Sequence, residues 1–340
     1  MKKQLCILAV FVLILSFGVG QVSARDVRFA NVALPWSGDI HGANAMADYV
    51  KEKTNGAYEI KVFPSGQLGG MMSILQQVQS GTLEMAVAVS AVLQNSVPQV
   101  GVFDLPFVWP SKETAYAVMA DREFQDKLSG YLAKKNLFMC GYIQNGWRAI
   151  TNSKRPVKTP GDMKGLKIRT MQSPMHLDAF KLLGSTPVPM AYGEVYQALQ
   201  QKVIDGQDNA AEVSVLMKFT EVNKYVTETG HTFTCGPVIV NLDFWNSLSP
   251  AHQKIFLEGG ELSWKVNMEH SEKLMKDMPD SGGKSYEEIC KEQGVELIKL
   301  TDEERAVFAK AMHPIWEKYR DIIGAEFYDF FMKKIEQYSK

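Results

Sequence analysis

Two arginines and one polar run stand where they could grip an anion. Arg148 ends the segment Asn145-Gly146-Trp147-Arg148, and Arg169 ends Lys167-Ile168-Arg169. Asp205-Gly206-Gln207-Asp208-Asn209 follows the apolar pair Val203-Ile204. A guanidinium suits a carboxylate because its planar fork donates two parallel hydrogen bonds and keeps its charge. Each arginine also has a plainer use, an ion pair with a structural acid such as Asp162 or Asp205, and residue types alone leave that choice open. Other chemistry is thinly represented. The chain has no GxSxG elbow and no HExxH, and His41, His176, His231, His252, His270 and His313 are scattered without metal-ligand spacing. Gly283-Lys284-Ser285 looks like the end of a phosphate loop, but Met278 stands where the first glycine belongs, so a solvated loop is expected. A Ser-His-Asp triad is a spatial arrangement that spacing neither reveals nor excludes. We expect no cofactor, no metal and no enzymatic activity.

For these groups to meet, they must lie at strand ends facing one cleft, where open α/β sheets bind ligands. The pattern along the chain allows it. Val27–Ala33 reads as a strand, and a helix with Ala43, Met46, Ala47 and Val50 on one face runs to Asn55-Gly56. Tyr58–Phe63 is a strand, Met71–Ser80 a helix, and Met85–Val89 a continuously apolar strand. This order implies parallel strands joined by crossover helices. A second such pattern starts near Leu137, with a strand at Leu166–Thr170, a helix at Pro174–Leu183, a turn at Gly184–Pro187 and a helix at Tyr192–Gln201. Val203–Gly206 then reads as a strand edge, with the polar run as the loop after it. Ser249-Pro250 is a helix start, and that helix extends to about Lys276. Ser285…Glu288 and Thr301…Glu304 fit capping boxes.

Bulk properties narrow the classes further. Lys2 and Lys3, the apolar run Ile7–Phe17 and Val22-Ser23-Ala24 make residues 1–24 a signal peptide and imply export to the periplasm. A chain of 340 residues exceeds one typical core and suggests two domains. With 37 basic and 38 acidic residues there is no case for nucleic acid as a partner. Cys140, Cys235 and Cys290 are widely spaced, and buried free thiols are expected.

In order, the chain carries Gly146-Trp147-Arg148-Ala149-Ile150-Thr151-Asn152, Asp162-Met163-Lys164-Gly165-Leu166-Lys167-Ile168-Arg169, Gly193-Glu194-Val195-Tyr196-Gln197-Ala198-Leu199 and Val203-Ile204-Asp205-Gly206-Gln207-Asp208-Asn209. This set closely resembles the substrate-binding proteins of tripartite ATP-independent periplasmic (TRAP) transporters. Phe63-Pro64-Ser65-Gly66-Gln67-Leu68-Gly69-Gly70, Asp104-Leu105-Pro106-Phe107 and Phe244-Trp245-Asn246-Ser247-Leu248 extend the likeness over most of the chain. The resemblance implies a two-domain α/β periplasmic-binding-protein-like fold with mixed, mainly parallel sheets. It places a ligand cleft between the domains and one long helix across both. We set the domains at 25–146 with 235–275, and 147–234 with 276–340. The resemblance implies that Arg169 clamps a carboxylate, that Arg148 and Asn209 assist, and that Tyr192 forms an aromatic wall.

Some positions depart from the commonest family pattern. Trp36 follows the first strand, Val89-Ser90 ends the third with little polarity, and Met171, Met190 and Trp147 add apolar surface. Together they favour a ligand with an apolar or aromatic body. The expected function is a monomeric extracytoplasmic receptor that delivers a small organic carboxylate to the integral membrane permease subunits of a TRAP transporter. The alternatives are a receptor for another importer or sensor, or a periplasmic hydrolase or isomerase.

Overall fold

The computed structural model describes residues 24–339, so all of the expected signal peptide except its last residue lies outside the described residues. The strands are β1 (Arg25–Ala30), β2 (Tyr58–Phe63), β3 (Met85–Val87), β4 (Leu137–Asn152), β5 (Lys167–Thr170), β6 (Thr186–Pro189), β7 (Gly206–Ala210), β8 (Tyr225–Glu228), β9 (Phe233–Asn241) and β10 (Glu296–Lys299). They join in the order β2-β1-β3-β9-β4-β7-β5-β6, with β8 on β4 and β10 on β8. β1 pairs parallel with β2 and β3, and β5 with β6 and β7, as the strand–helix alternation predicts. The architecture is α/β with two sheet halves, each parallel at its outer strands.

β4 joins the halves. Its first part, Leu137 to Trp147, pairs antiparallel with β9. Its last part, Arg148 to Asn152, pairs with β7 on one side, and Ile150 to Asn152 pair with β8 on the other. The register slips between Gln144 and Trp147, where Gly146 takes φ +77°. A slip of this kind bends a strand and re-aims the side chains that follow it. Asn145-Gly146-Trp147-Arg148 therefore does not close a strand, as the sequence pattern suggests. It is a bulge in the middle of a 16-residue one.

Two further expectations are corrected. The run Gly206–Ala210 is itself a strand, buried throughout, and not a loop. Its polar side chains are held by tertiary partners, which override its weak strand propensity: Gln207 Nε2 donates to Thr151 Oγ1 and Ser214 Oγ at 3.0 and 3.1 Å. The expected turn at Gly184–Pro187 is partly β6, which carries Pro187 and Pro189 at the end of the strand path, where a missing N–H costs no ladder bond. Met71–Ser80 and Pro250–Lys276 form the expected helices, and both capping boxes are made. Cys140, Cys235 and Cys290 are free and buried.

The helix Pro250–Lys276 has 27 residues, roughly 40 Å at 1.5 Å per residue. Ser249 caps it by accepting from the His252 amide. Near its start Phe256 belongs to the core of the first sheet, and just past its end Met278 packs with Ala149 and Ala211 of the second. Glycines let it lie directly on other backbone. A Cβ at Gly260 would stand 1.7 Å from the Cys140 carbonyl oxygen, and one at Gly42 would stand 2.5 Å from the Ser263 carbonyl oxygen. The helix Gly38–Lys53 is thereby pressed against it, and β4 lies beneath.

This contact yields a test. Gly260→Ala should cost at least about 1–3 kcal/mol, because backbone and not a flexible side chain must yield. Urea unfolding measures it, and an unchanged midpoint would contradict the packing described.

Candidate functional site

Six strand ends open onto one cavity of about 370 Å³. Asn31 to Asp39 follow β1, Ser65 to Met71 follow β2, and Val89 and Val92 follow β3. Met171 and Gln172 follow β5, Met190 to Glu194 follow β6, and Glu212 and Val213 follow β7. Every parallel strand of the two halves except the β8–β10 pair thus contributes its carboxyl end to the wall. Asn145 and Arg148 enter from the β4 bulge, and Ser271 and Leu274 from the long helix.

The two arginines differ in what holds them. Arg148 is committed within the protein. Its Nε donates to Asp208 Oδ2 at 2.6 Å, its Nη1 donates to Thr234 Oγ1 at 3.0 Å, and its Nη2 donates to the Asp208 carbonyl. Arg148 and Asp208 are 2% and 0% exposed, so this is a buried ion pair. His231 Nε2 and His176 Nδ1 lie 3.4 and 3.9 Å from the same carboxylate oxygen. Burial would raise the Asp208 pKa, but Arg148 and the two histidines hold it well below the usual carboxylate range. The structural acid is therefore Asp208, not Asp162 or Asp205. Those two pair with neither arginine: Asp162 accepts from the Lys158 and Thr159 amides, and Asp205 accepts from the Lys167 amide and forms an ion pair with Lys154 at 3.3 Å.

Arg169 is the open one. Its Nε and Nη2 donate to the Met190 carbonyl at 3.1 and 2.8 Å, which fixes the plane of the guanidinium. Among the described residues no carboxylate lies within ion-pair distance of it, and it is 3% exposed. Burial lowers its pKa to about 10, opposed by the field of Asp208 and assisted by that of Arg148. It remains a cation at neutral pH. Asn209 is buried beside the cavity, and its side-chain oxygen accepts from the Ala210 amide, leaving its Nδ2 for another acceptor.

Of the residues singled out in the sequence, Arg169, Arg148, Asn209, Tyr192, Trp36, Val89 and Met171 line the cavity. Trp147 and Ser90 do not. Trp147 packs on Phe233, ring centroids 5.1 Å apart, and as the neighbour of Arg148 in the strand it points to the opposite face. Ser90 begins the short helix Ser90–Leu93 and is buried within the fold.

The chain has relatives among known proteins, in sequence and in fold. The pattern of the bacterial extracellular solute-binding proteins, family 7 (DctP), matches residues 29–321. The chain belongs to that family. It is 32% identical over 327 residues to the 2,3-diketo-L-gulonate-binding periplasmic protein YiaO of Escherichia coli K12, covering 95% of this chain and 92% of that one. A TRAP periplasmic solute-binding protein of Desulfovibrio salexigens with bound orotic acid superposes with a TM-score of 0.85 at 29% identity, covering 92% and 98% of the two chains. Another, from Anaerococcus prevotii with bound D-glucuronate, superposes at 0.84 with 29% identity, covering 92% and 99%.

In this solute-binding protein the cavity also holds three acids: Glu194, which lies in one of the quoted family motifs, and two that the sequence did not single out, Asp39 and Glu212. Neither sits in a recognisable motif. Asp39 opens the helix Gly38–Lys53 and ties three elements together. Asn267 Nδ2 of the long helix donates to its Oδ1 at 3.0 Å, and the Asn145 amide of the bulge donates to it as well. Asn267 Oδ1 in turn accepts from the Gln144 amide at 2.9 Å. Burial raises the Asp39 pKa to about 6, against the lowering effect of these amides.

That shift has a sign. Unfolded, Asp39 titrates near 3.9. The folded state holds the proton more tightly, so its contribution is greatest below about pH 4, declines up to about pH 6 and is level above. Asp39→Asn cannot ionise. Relative to the native protein, it should gain on the order of 2–3 kcal/mol in unfolding free energy between pH 4 and pH 7. Parallel stability curves over that range would contradict the assignment.

Proposed function

We propose that this chain is an exported receptor that captures a small organic carboxylate between its two lobes and presents it to a TRAP membrane permease. Family membership supports the receptor role and the permease partner. The observation that carries the ligand class is Arg169: a buried cation without a protein carboxylate, turned into a cavity and flanked by the donors of Asn209 and Tyr192. A buried charge is costly unless paired, so an anionic ligand supplies what the fold leaves open. Val32, Leu34, Trp36, Val89 and Met171 give the cavity an apolar wall, which favours a ligand with an apolar or aromatic middle.

The mechanism we propose is closure of one lobe on the other. Lobes at 25–146 with 235–275, and 147–234 with 276–340, would meet at the β4 bulge, where the strand shared by both sheet halves passes from β9 to β7, and close to the start of β9. In the open form water solvates Arg169. A bound carboxylate neutralises it, and the second lobe then covers the ligand and excludes solvent. The closed form is the one the permease reads, and the ligand leaves chemically unchanged. A leader over residues 1–24 directs the chain to the periplasm in this scheme.

Calorimetry against a panel of organic acids tests the reading, with thermal shift as the first screen. Arg169→Ala should weaken the best acid by about 2–5 kcal/mol while the protein stays folded, since truncation leaves a carboxylate unpaired in a dry site. Undiminished affinity in that variant would overturn the ligand class, and recovery of an altered acid after long incubation would overturn receptor action.

A further inference from the structure

Resting on that carboxylate reading, we propose that Glu212 forms a second polar subsite in the cavity, selecting acids that carry a hydroxyl or ammonium donor away from the carboxylate. Glu212 lies two residues beyond the end of β7, in the short helix Ala211–Leu216, and its part-buried side chain lines the cavity. No other described residue donates a hydrogen bond or an ion pair to its carboxyl group. The two fully buried acids near the site both have protein partners: Asp39 has Asn267 and Asn145, and Asp208 has Arg148. Among the described residues its own backbone amide is its one donor, so most of its acceptor capacity is unfilled away from bulk water, and a donor on the ligand would fill it.

The group lies close to the β4 bulge. Gly146 at the bulge has φ +77°, and a Cβ there would stand 2.9 Å from Glu212 Oε1. The carboxyl group therefore rests against the bare backbone of the bulge, whose own amide donates to Gln144 Oε1 at 2.8 Å. Register fixes how this subsite relates to the first. Along β7, Gln207 pairs with Arg169 and Ala210 pairs with Arg148, so the chain runs from the open guanidinium past Asn209 to Glu212. A cation or donor subsite thus follows the anion subsite along one wall, with apolar surface opposite. Burial raises the Glu212 pKa to about 7, so near neutrality its protonated and ionised forms are both populated.

The test is calorimetry on the full mature protein with three matched series of three to six carbons: unsubstituted n-alkanoates, terminal hydroxyalkanoates and terminal aminoalkanoates. At one chain length a hydroxy or amino acid should bind about tenfold or more tighter than the plain acid. Glu212→Ala should remove that preference while leaving the plain acid within about threefold. Glu212→Gln, near-isosteric and still an acceptor, separates the sources: it keeps a hydroxyl preference and loses an ammonium preference. Plain acids binding as well as substituted ones at every length would overturn the subsite while leaving the carboxylate reading intact. Equal loss for plain and substituted acids in Glu212→Ala would do the same. Failure of all three series, with Arg169→Ala indistinguishable from the native protein, would overturn the carboxylate reading and this inference together.

Discussion

The organisation of this molecule depends on a guanidinium buried without a counter-ion among the described residues. Arg169 is oriented by a single carbonyl, that of Met190, and faces a cavity assembled from strand ends. Burying a cation in this way opposes folding, and the fold tolerates it because the field of Asp208 and the Met190 carbonyl relieve part of the cost. What remains, we propose, is a standing preference for an anion. Recognition here is built from an incomplete set of interactions.

The neighbouring arginine shows the contrast. Arg148 stands in the same wall, but Asp208 and Thr234 occupy all three of its nitrogens. Asp208 also faces His231 and His176, so one carboxylate from β7 organises a buried network behind the cavity. That network fixes β7 against β4 and commits the Arg148 nitrogens to partners within the protein. In front of it, Asp39, Asn145 and Asn267 fasten the first helix, the bulge and the long helix to one another. The site is thus rigid behind and tied at the junction of the two sheet halves, where we propose that movement occurs.

Much of this is legible in the sequence, and the failures have physical causes. Helices are read well where caps and periodicity agree, as at Met71–Ser80 and at Pro250–Lys276, whose Ser249 cap and Pro250 are visible in the residues themselves. The parallel outer strands follow from the strand–helix alternation. β7 is misplaced because Gly-Gln-Asp-Asn-Ala has loop composition, and only partners far away in the chain make it a strand. The bulge in β4 passes for a strand end because Asn-Gly reads as a turn, and the same misreading aims Trp147 at the cavity when it packs on Phe233. Arg169 and Asn209 emerge from ordered family motifs. Asp39 and Glu212 do not, because an acid near a helix start is ordinarily a favourable end-charge, and its exposure to a cavity is set by topology alone.

The most direct measurement of the central claim is a crystal structure of the protein with the acid that co-purifies with it or that raises its melting temperature most. The account predicts a ligand carboxylate within about 3.2 Å of the Arg169 guanidinium, with Asn209 Nδ2 donating to it and Arg148 still paired with Asp208. A ligand whose carboxylate lies elsewhere, or a bound form in which Arg169 pairs with a protein carboxylate, would contradict it.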